Sequence, residues 1–121
     1  MADESQTTSA EPKTAQDFLR LGWKQHAGEK LHSSAEESFR RAINLNPNLV
    51  DAYFALGLAL KAQGRRDEAV EAFEKTASLL DAGVLEDQVR TSMLHRLAIG
   101  HRNQLKEGDW SLEEEIWKKS S

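Results

Sequence analysis

Residues 48–81 read NLVDAYFALGLALKAQGRRDEAVEAFEKTASLLD, and this stretch decides the fold. Four of its residues are spaced so that they share one face of a helix: Tyr53, Leu56, Gly57 and Leu60. Gly64 follows, where glycine is typical of a helix C-terminus. A second helical spacing then begins, and its face carries Ala69, Phe73 and Thr76. The stretch therefore predicts two helices folded back on each other.

This arrangement resembles one unit of the tetratricopeptide repeat family. The family pattern has an aromatic residue, Leu-Gly and an aromatic residue or Leu in its first helix, then Ala, Phe and a small residue in its second. Six of these seven places match closely, and Thr76 stands where Ala is usual. The resemblance implies an all-α, right-handed stack of antiparallel helix hairpins, a TPR-like α-solenoid of about six helices. It also implies a binding scaffold, not a catalyst.

A similar unit precedes this one, over about residues 14–47, and repeat 2 then covers about residues 48–81. The first helix of this earlier unit carries Phe18, Leu21, Gly22 and Gln25, and its second helix carries Ala35, Phe39, Ala42 and Leu45. Pro47 ends it, because a proline ring clashes with the preceding turn of a helix. Gly22 and Gly57 are 35 residues apart, against 34 in the family, and we expect the extra residue in the loop. A glycine at the same place twice indicates close helix packing.

Capping boxes predict where helices begin. Thr14 with Asp17 marks the first helix, Ser34 with Glu37 the second, and Ser111 with Glu114 the last. Residues 1–13 are polar and have no helical period, which predicts a disordered tail.

A degenerate third repeat is predicted over about residues 87–119, after a linker at 82–86. Its long helix runs from about Asp87 to Lys106 and repeats the first-helix spacing with Leu94, Leu97, Ala98 and His101. Gly108 ends that helix, and a short final helix carries Leu112, Ile116 and Trp117. Two roles stay open for Trp110 and Trp117: they seal the last hairpin, or they pair with a second copy.

Composition narrows the class of protein. The 121 residues contain 39% hydrophobic and 30% charged residues and no cysteine, and the formal net charge is −4. Scattered Lys and Arg argue against nucleic-acid binding, and no apolar run approaches the roughly 18 residues of a membrane span. No secretory signal is visible. We therefore expect a cytoplasmic protein with no nucleic-acid or membrane partner.

A groove on the first helices is the candidate binding site. The tetratricopeptide resemblance implies that these helices line a concave surface, where apolar residues form a floor: Leu19, Trp23, Phe54, Leu58 and Ile99. One rim carries His26, Lys61 and Arg102, and His95 takes the place in the third unit that Phe54 has in the second. Such a surface suits a peptide or helix of another protein. The alternative is that these residues are core, or are covered by the chain's own tail.

A clamp for a chaperone's C-terminal carboxylate is one known use of this family. Its Lys, Asn and Arg positions hold Leu19, Trp23 and Ala55 here, so that clamp is absent.

The sequence favours neither catalysis nor metal binding. His26 and His32 are six residues apart, as are His95 and His101, whereas zinc-binding pairs on a helix are four apart. The isolated glycines and serines form no phosphate-binding loop or nucleophile elbow, so no cofactor is expected. Two non-catalytic functions remain, a scaffold that binds a partner and a self-assembly module. A monomer is favoured, and a homodimer is possible under the second.

Overall fold

The computed structural model describes residues 11–107, and every regular element among them is a helix. These are α1 at Ala15–Trp23, a π turn at Lys24–Gly28, α2 at His32–Leu45, α3 at Val50–Ala62, α4 at Arg66–Asp81 and α5 at Gln88–Glu107. The all-α prediction is confirmed. The sixth helix, with its Ser111–Glu114 capping box, lies outside the described residues.

The predicted capping box at the start of α1 is confirmed. The Asp17 backbone N–H donates to Thr14 Oγ1 at 3.0 Å, and the Thr14 N–H donates to Asp17 Oδ2 at 3.1 Å. These two bonds satisfy N–H groups that have no partner inside the helix. The equivalent prediction at Ser34 and Glu37 is wrong, because α2 begins earlier, at His32, with Leu31 as an N-cap that makes no side-chain bond.

The path of the chain before α2 explains this error. Lys30 adopts a left-handed backbone conformation with φ of 56°. The Leu31 N–H donates to the Gln25 carbonyl at 2.7 Å. Together these turn the chain sharply, so that α2 starts two residues before Ser34 and places Ser34 within its first turn.

The extra residue of the first unit lies in a helix and not in the loop where it was expected. Residues 29–31 and 63–65 are the two hairpin loops, and both have three residues. From Gly22 to the last helical residue, Gly28, there are six steps, whereas from Gly57 to Ala62 there are five. The π turn at Lys24–Gly28 accounts for the difference, since a π turn takes one more residue than an α turn.

Glycine and proline end the other helices, at Pro47 and Gly64 as predicted. Helix α2 stops at Leu45, two residues before Pro47. Gly64 and Gly83 have φ of 78° and 84°, a left-handed conformation that glycine adopts without steric cost and that typically terminates a helix. The breaks near these residues separate α3 from α4 and α4 from α5.

The two hairpins pack through the same glycine–phenylalanine pair. A Cβ added at Gly22 would lie 2.3 Å from Phe39 Cε1, and one added at Gly57 would lie 2.6 Å from Phe73 Cε1. Both rings have no exposed surface. The prediction that these glycines allow close helix contact is therefore confirmed, and the pair fixes the alignment of α1 with α2 and of α3 with α4.

Polar contacts tie the two hairpins together at the second loop. Glu36 on α2 accepts from Arg65 Nη1 at 2.6 Å and from Gln63 Nε2 at 3.1 Å. It also accepts from Arg40 Nε, one turn later, at 2.9 Å. Helix α5 then packs mainly against α4. Where these two helices meet the start of α3, a small apolar cluster forms from Val50, Leu79, Leu80 and Leu94.

Candidate partner-binding surface

Helices α1, α3 and α5, with the π turn that follows α1, share a partly exposed face, which we call the first-helix face. It comprises Trp23 and His26 of the first unit, Phe54, Leu58 and Lys61 of α3, and Leu97, His101 and Gln104 of α5. Helices α3 and α5 meet on it. Lys61 Nζ donates to Gln104 Oε1 at 2.6 Å and lies 3.0 Å from His101 Nδ1. The face therefore combines aromatic and aliphatic surface with one lysine ammonium.

Aromatic rings support this face from beneath. The His101 ring stacks on Phe73, with centroids 5.0 Å apart and an angle of 14° between the planes. Phe54 meets both rings edge-on, at 5.7 Å from Phe73 and 5.8 Å from His101. Offset-stacked and edge-to-face arrangements are the preferred aromatic geometries. Phe73 is thus shared: its ring contacts Gly57 within the hairpin and His101 on the next helix.

The environment of His101 keeps its ring neutral. Burial, and secondarily the charge of Lys61, lowers the pKa of His101 to about 4. Burial also lowers the pKa of Lys61. Since an ammonium only donates hydrogen bonds, His101 Nδ1 is the acceptor in this contact and the ring proton lies on Nε2.

This pKa predicts a specific dependence of stability on pH. The folded pKa of about 4 lies below the unfolded value of about 6.5, so at intermediate pH only the unfolded chain binds the proton. Stability supplied by neutral His101 is therefore present above about pH 6.5 and lost as the pH falls toward 4. Allowing for the partial exposure of the ring, we expect a loss of about 1–2 kcal/mol.

Urea denaturation at pH 7 and pH 4.5 measures this dependence, with His101→Gln as the control that removes the titrating group. The difference in the free energy of unfolding between pH 7 and pH 4.5 should be smaller in the variant than in the natural chain. An NMR titration of His101 with a midpoint near 6.5 would contradict the assignment.

In the first unit, Trp23 anchors the end of the first-helix face. Its ring meets Phe39 edge-on at 5.6 Å and His26 at 6.0 Å. His26 lies in the π turn, and its Nδ1 is 2.9 Å from Nδ1 of His32. Burial, then the charges of His32 and Lys30, lowers the pKa of His26. One ring of this pair donates and the other accepts, so the bond requires at least one neutral imidazole.

Two residues predicted for the exposed floor are buried. Leu19 is 7% exposed and belongs to the main core, and Ile99 is 8% exposed. Leu19 occupies the place that Phe54 has in α3, but a smaller side chain there packs inward against the core. The expectation that both contribute accessible surface is wrong.

The other two α5 residues predicted for the groove, His95 and Arg102, are half-buried but point elsewhere. His95 Nε2 lies 3.3 Å from Asp81 Oδ1, at the end of α4. Arg102 donates to Asn103 Oδ1 from Nε at 3.0 Å and from Nη2 at 2.7 Å. The residues of α5 that meet Phe54 and Lys61 are instead His101 and Gln104, and Leu97 lies one turn before His101 on the same side.

The cause is a shift of two residues in the alignment of the third unit. Burial in α5 matches burial in α3 when Arg96, Ile99, Gly100 and Asn103 are aligned with Tyr53, Leu56, Gly57 and Leu60. Ile99 is then 8% exposed where Leu56 is 6%, and Asn103 is 1% exposed where Leu60 is 1%. Gly100 was the available signal, because it repeats the glycine of Gly22 and Gly57.

A second surface lies on the far face of α5, which we define as the side turned away from Ala98: Val89, Met93, Arg96, Gly100 and Asn103. Its first part is open, with Val89 77% exposed and Met93 58% exposed. Gln88, Val89, Ser92, Met93 and Arg96 line an open depression of about 460 Å³. Its last part is closed, since Gly100 and Asn103 are buried.

No described helix is long and apolar enough to cross a membrane. Among residues 11–107, no group of three or more His, Cys, Asp or Glu side chains is arranged to hold a metal ion.

Comparisons with known proteins agree with this geometry. A TPR repeat model matches residues 33–64, and a tetratricopeptide repeat model matches residues 50–81. The crystal structure of MamA is similar, with a TM-score of 0.57 and 28% sequence identity over 93% of this chain. The chain spans 65% of the length of that MamA chain. The search of curated proteins found no match. Residues 33–81 therefore match models of the tetratricopeptide repeat, in a chain whose all-α fold resembles that of MamA.

Proposed function

We propose that this protein is a non-catalytic scaffold that binds a peptide or helical segment of another protein across the first-helix face. Tetratricopeptide repeats generally mediate protein–protein interaction, which supports this class of function. The observation that carries the proposal is the meeting of α3 and α5 at Phe54, Lys61 and His101, where aromatic surface and a cation lie side by side.

The same contact indicates the chemistry of the partner segment. Aromatic and aliphatic anchors on a face bind apolar side chains. An ammonium has three N–H donors, and within the described part of the chain Lys61 is bonded to His101 and Gln104. The third donor suits an acceptor from the partner. A segment with apolar residues flanking one carboxylate is the complement of this face.

The test uses Leu97→Glu and a matched control, Leu45→Glu. Leu97 is 38% exposed on the first-helix face, whereas Leu45 is 54% exposed at the end of α2. Each variant makes the same chemical change at an exposed position, so each should alter stability by less than about 0.5 kcal/mol. Only Leu97→Glu should weaken binding, because it places a charge within an apolar contact.

Peptides for this experiment come from panning a displayed random library on the natural chain. Their affinities for the natural chain, Leu97→Glu and Leu45→Glu are then measured by calorimetry. We expect at least a tenfold loss for Leu97→Glu alone, and selected sequences that combine apolar residues with Asp or Glu. Equal affinity for all three chains would refute binding at this face.

Self-association is the second candidate function, and the open part of the far face of α5 favours it. Val89 and Met93 are large apolar side chains one turn apart on an exposed helix face. Sedimentation velocity at several concentrations tests this function. A concentration-dependent dimer that Met93→Glu dissociates would support it, and a monomer at every concentration would reject it.

A further inference from the structure

The loop of the first hairpin brings two histidine side chains into direct contact. His26 lies in the π turn and His32 is the first residue of α2, and their Nδ1 atoms are 2.9 Å apart. Within one continuous helix, residues six apart would not share a face. The contact therefore depends on the path of the chain between the two residues.

The backbone between the two histidines follows a defined path. The Glu29 N–H donates to the Lys24 carbonyl at 3.0 Å, and the Leu31 N–H donates to the Gln25 carbonyl at 2.7 Å. Lys30 has φ of 56°, a left-handed conformation that is unfavourable for lysine. Such a conformation persists only where the surrounding structure fixes it, and it is frequent at ligand sites. The loop thus holds the start of α2 beside the π turn.

Packing restricts both imidazole rings while leaving them accessible to solvent. The His26 ring meets Trp23 edge-on at 6.0 Å and His32 edge-on at 4.7 Å. The His32 carbonyl accepts from Gln63 Nε2 of the second hairpin loop at 3.4 Å. Both histidines are half-buried. An ion from solvent can therefore reach a pair of ligand atoms whose positions are already constrained.

The separation of the two Nδ1 atoms matches a particular coordination geometry. Two nitrogens bound to one ion at about 2.0–2.1 Å lie about 2.9 Å apart when the angle at the ion is about 90°, and about 3.3 Å apart when it is tetrahedral. The observed separation is 2.9 Å, which corresponds to adjacent positions of a square-planar or tetragonal ion. Cu²⁺ and Ni²⁺ prefer that geometry with nitrogen and oxygen ligands, and Cu²⁺ binds more tightly.

We propose that His26 and His32 bind Cu²⁺, or Ni²⁺ in its place, through their two Nδ1 atoms, with water in the remaining positions. In the hydrogen-bonded pair one Nδ1 carries a proton and the other accepts it. The ion takes the place of that proton, which moves to Nε2 of the same ring, so both rings stay neutral. Each ring turns about its Cβ–Cγ bond, a broad torsion in histidine, until both lone pairs point at the ion.

The affinity of this site depends on the two imidazoles together. Among residues 11–107, no third His, Cys, Asp or Glu side chain completes the ligand set. Lys24 Nζ lies 4.0 Å from Glu29 Oε2, so those two opposite charges offset each other. The charge of Lys30 opposes binding of a cation, but its side chain is exposed, where salt screens it. Loss of either histidine should therefore remove the site.

The proposal is independent of the proposed partner binding. It places the ion at one end of the first-helix face, to which His26 belongs, beside the Trp23 ring. The site would exist in the isolated chain, so its test needs no partner.

Calorimetric titration of Cu²⁺ into the full chain, acetylated at its N-terminus to block the α-amine, tests the proposal. The natural chain should bind one ion, and His26→Gln and His32→Gln should each weaken binding at least tenfold. The double variant should bind no more weakly than either single variant, because each substitution alone breaks the chelate. Two ions bound to the natural chain, with one lost in each single variant, would assign them to independent histidines and overturn the proposal.

His95→Gln is the matched control, since His95 is also half-buried and its Nε2 lies 3.3 Å from Asp81 Oδ1. It should leave the affinity for Cu²⁺ unchanged. A loss equal to that of His26→Gln would show binding spread over the histidines in general and would overturn the site.

Pulsed EPR of the natural chain loaded with Cu²⁺ gives a second readout that needs no variant to fold. The spectrum should show two coordinated imidazoles, and His26→Gln should reduce the number to one or abolish the bound signal. A single imidazole on the natural chain would overturn the proposal.

Discussion

Gly57→Leu should lower the free energy of unfolding by about 3 kcal/mol. A Cβ at this position would lie 2.6–2.8 Å from three atoms of the Phe73 ring, closer than real Cβ contacts allow. The ring has no exposed surface, so it has no solvent-facing direction in which to move. Leucine would therefore force α3 and α4 apart, and the strain would extend to α5 through Phe73.

Gly28→Ala is the matched control for this prediction. Nothing lies within 4 Å of a Cβ added at Gly28, and its φ is not in the left-handed region. Alanine should therefore stabilise the chain by about 0.5–1 kcal/mol, because glycine loses more conformational freedom on folding. Urea denaturation measures whether each substitution raises or lowers the free energy of unfolding. A Gly57→Leu chain more stable than the natural one would show that α3 and α4 do not touch at this residue.

Phe73→Ala should lower the free energy of unfolding by about 3–5 kcal/mol, the range for deleting a buried aromatic ring. The ring fills the space over Gly57 and contacts Phe54 and His101. Its loss leaves a cavity where three helices meet. A thermal or urea melt measures the effect.

Phe39 is the matched control for Phe73, because it fills the equivalent place in the first hairpin but makes a different aromatic contact. Phe39 is equally buried and covers Gly22, but its aromatic contact is with Trp23. Its deletion should cost about the same stability. The milder change Phe73→Leu should raise the pKa of His101 from about 4 toward 6.5, because burial is the main cause of the shift. Phe39→Leu should leave that pKa unchanged, and an equal rise in both would contradict the shared role of Phe73.

The sequence predicted the helices and the first two hairpins because each depends on local spacing. The 35-residue repeat of Gly22 and Gly57, together with Pro47, Gly64 and Gly83, was sufficient to place them. The capping box at Ser34 failed for a local reason that spacing does not reveal. A left-handed Lys30 redirects the chain, and lysine is not a residue from which that conformation is expected.

The third unit was misaligned because the linker after α4 breaks the repeat. Without a fixed period, both Ala98 and Gly100 were small enough to take the place that Gly57 has in α3, where two helices touch. The packing of α4 decides between them, since it buries Ala98 on one side of α5 and leaves Gly100 on the other. That choice depends on the angle at which α5 meets α4, which is a property of the tertiary structure.

The candidate surface was harder to predict than the fold for a related reason. Apolar residues next to one another on a helix belong either to the core or to an exposed face. A rotation of the helix by less than the angle between two successive residues decides which of these places a side chain takes. Leu19 and Phe54 occupy the same place in successive units, yet Leu19 is buried and Phe54 is half-exposed. The size of the side chain and the presence of the next helix determine the outcome.

The π turn at Lys24–Gly28 has a consequence for how this chain can change during evolution. An insertion of one residue in a helical hairpin would ordinarily rotate every later side chain by about 100°. Here the wider turn takes up the additional residue before the chain reaches the loop, and the Gly22–Phe39 pair keeps the geometry of the Gly57–Phe73 pair. The additional residue is thereby confined to the first unit, and the hairpin that follows keeps its own packing.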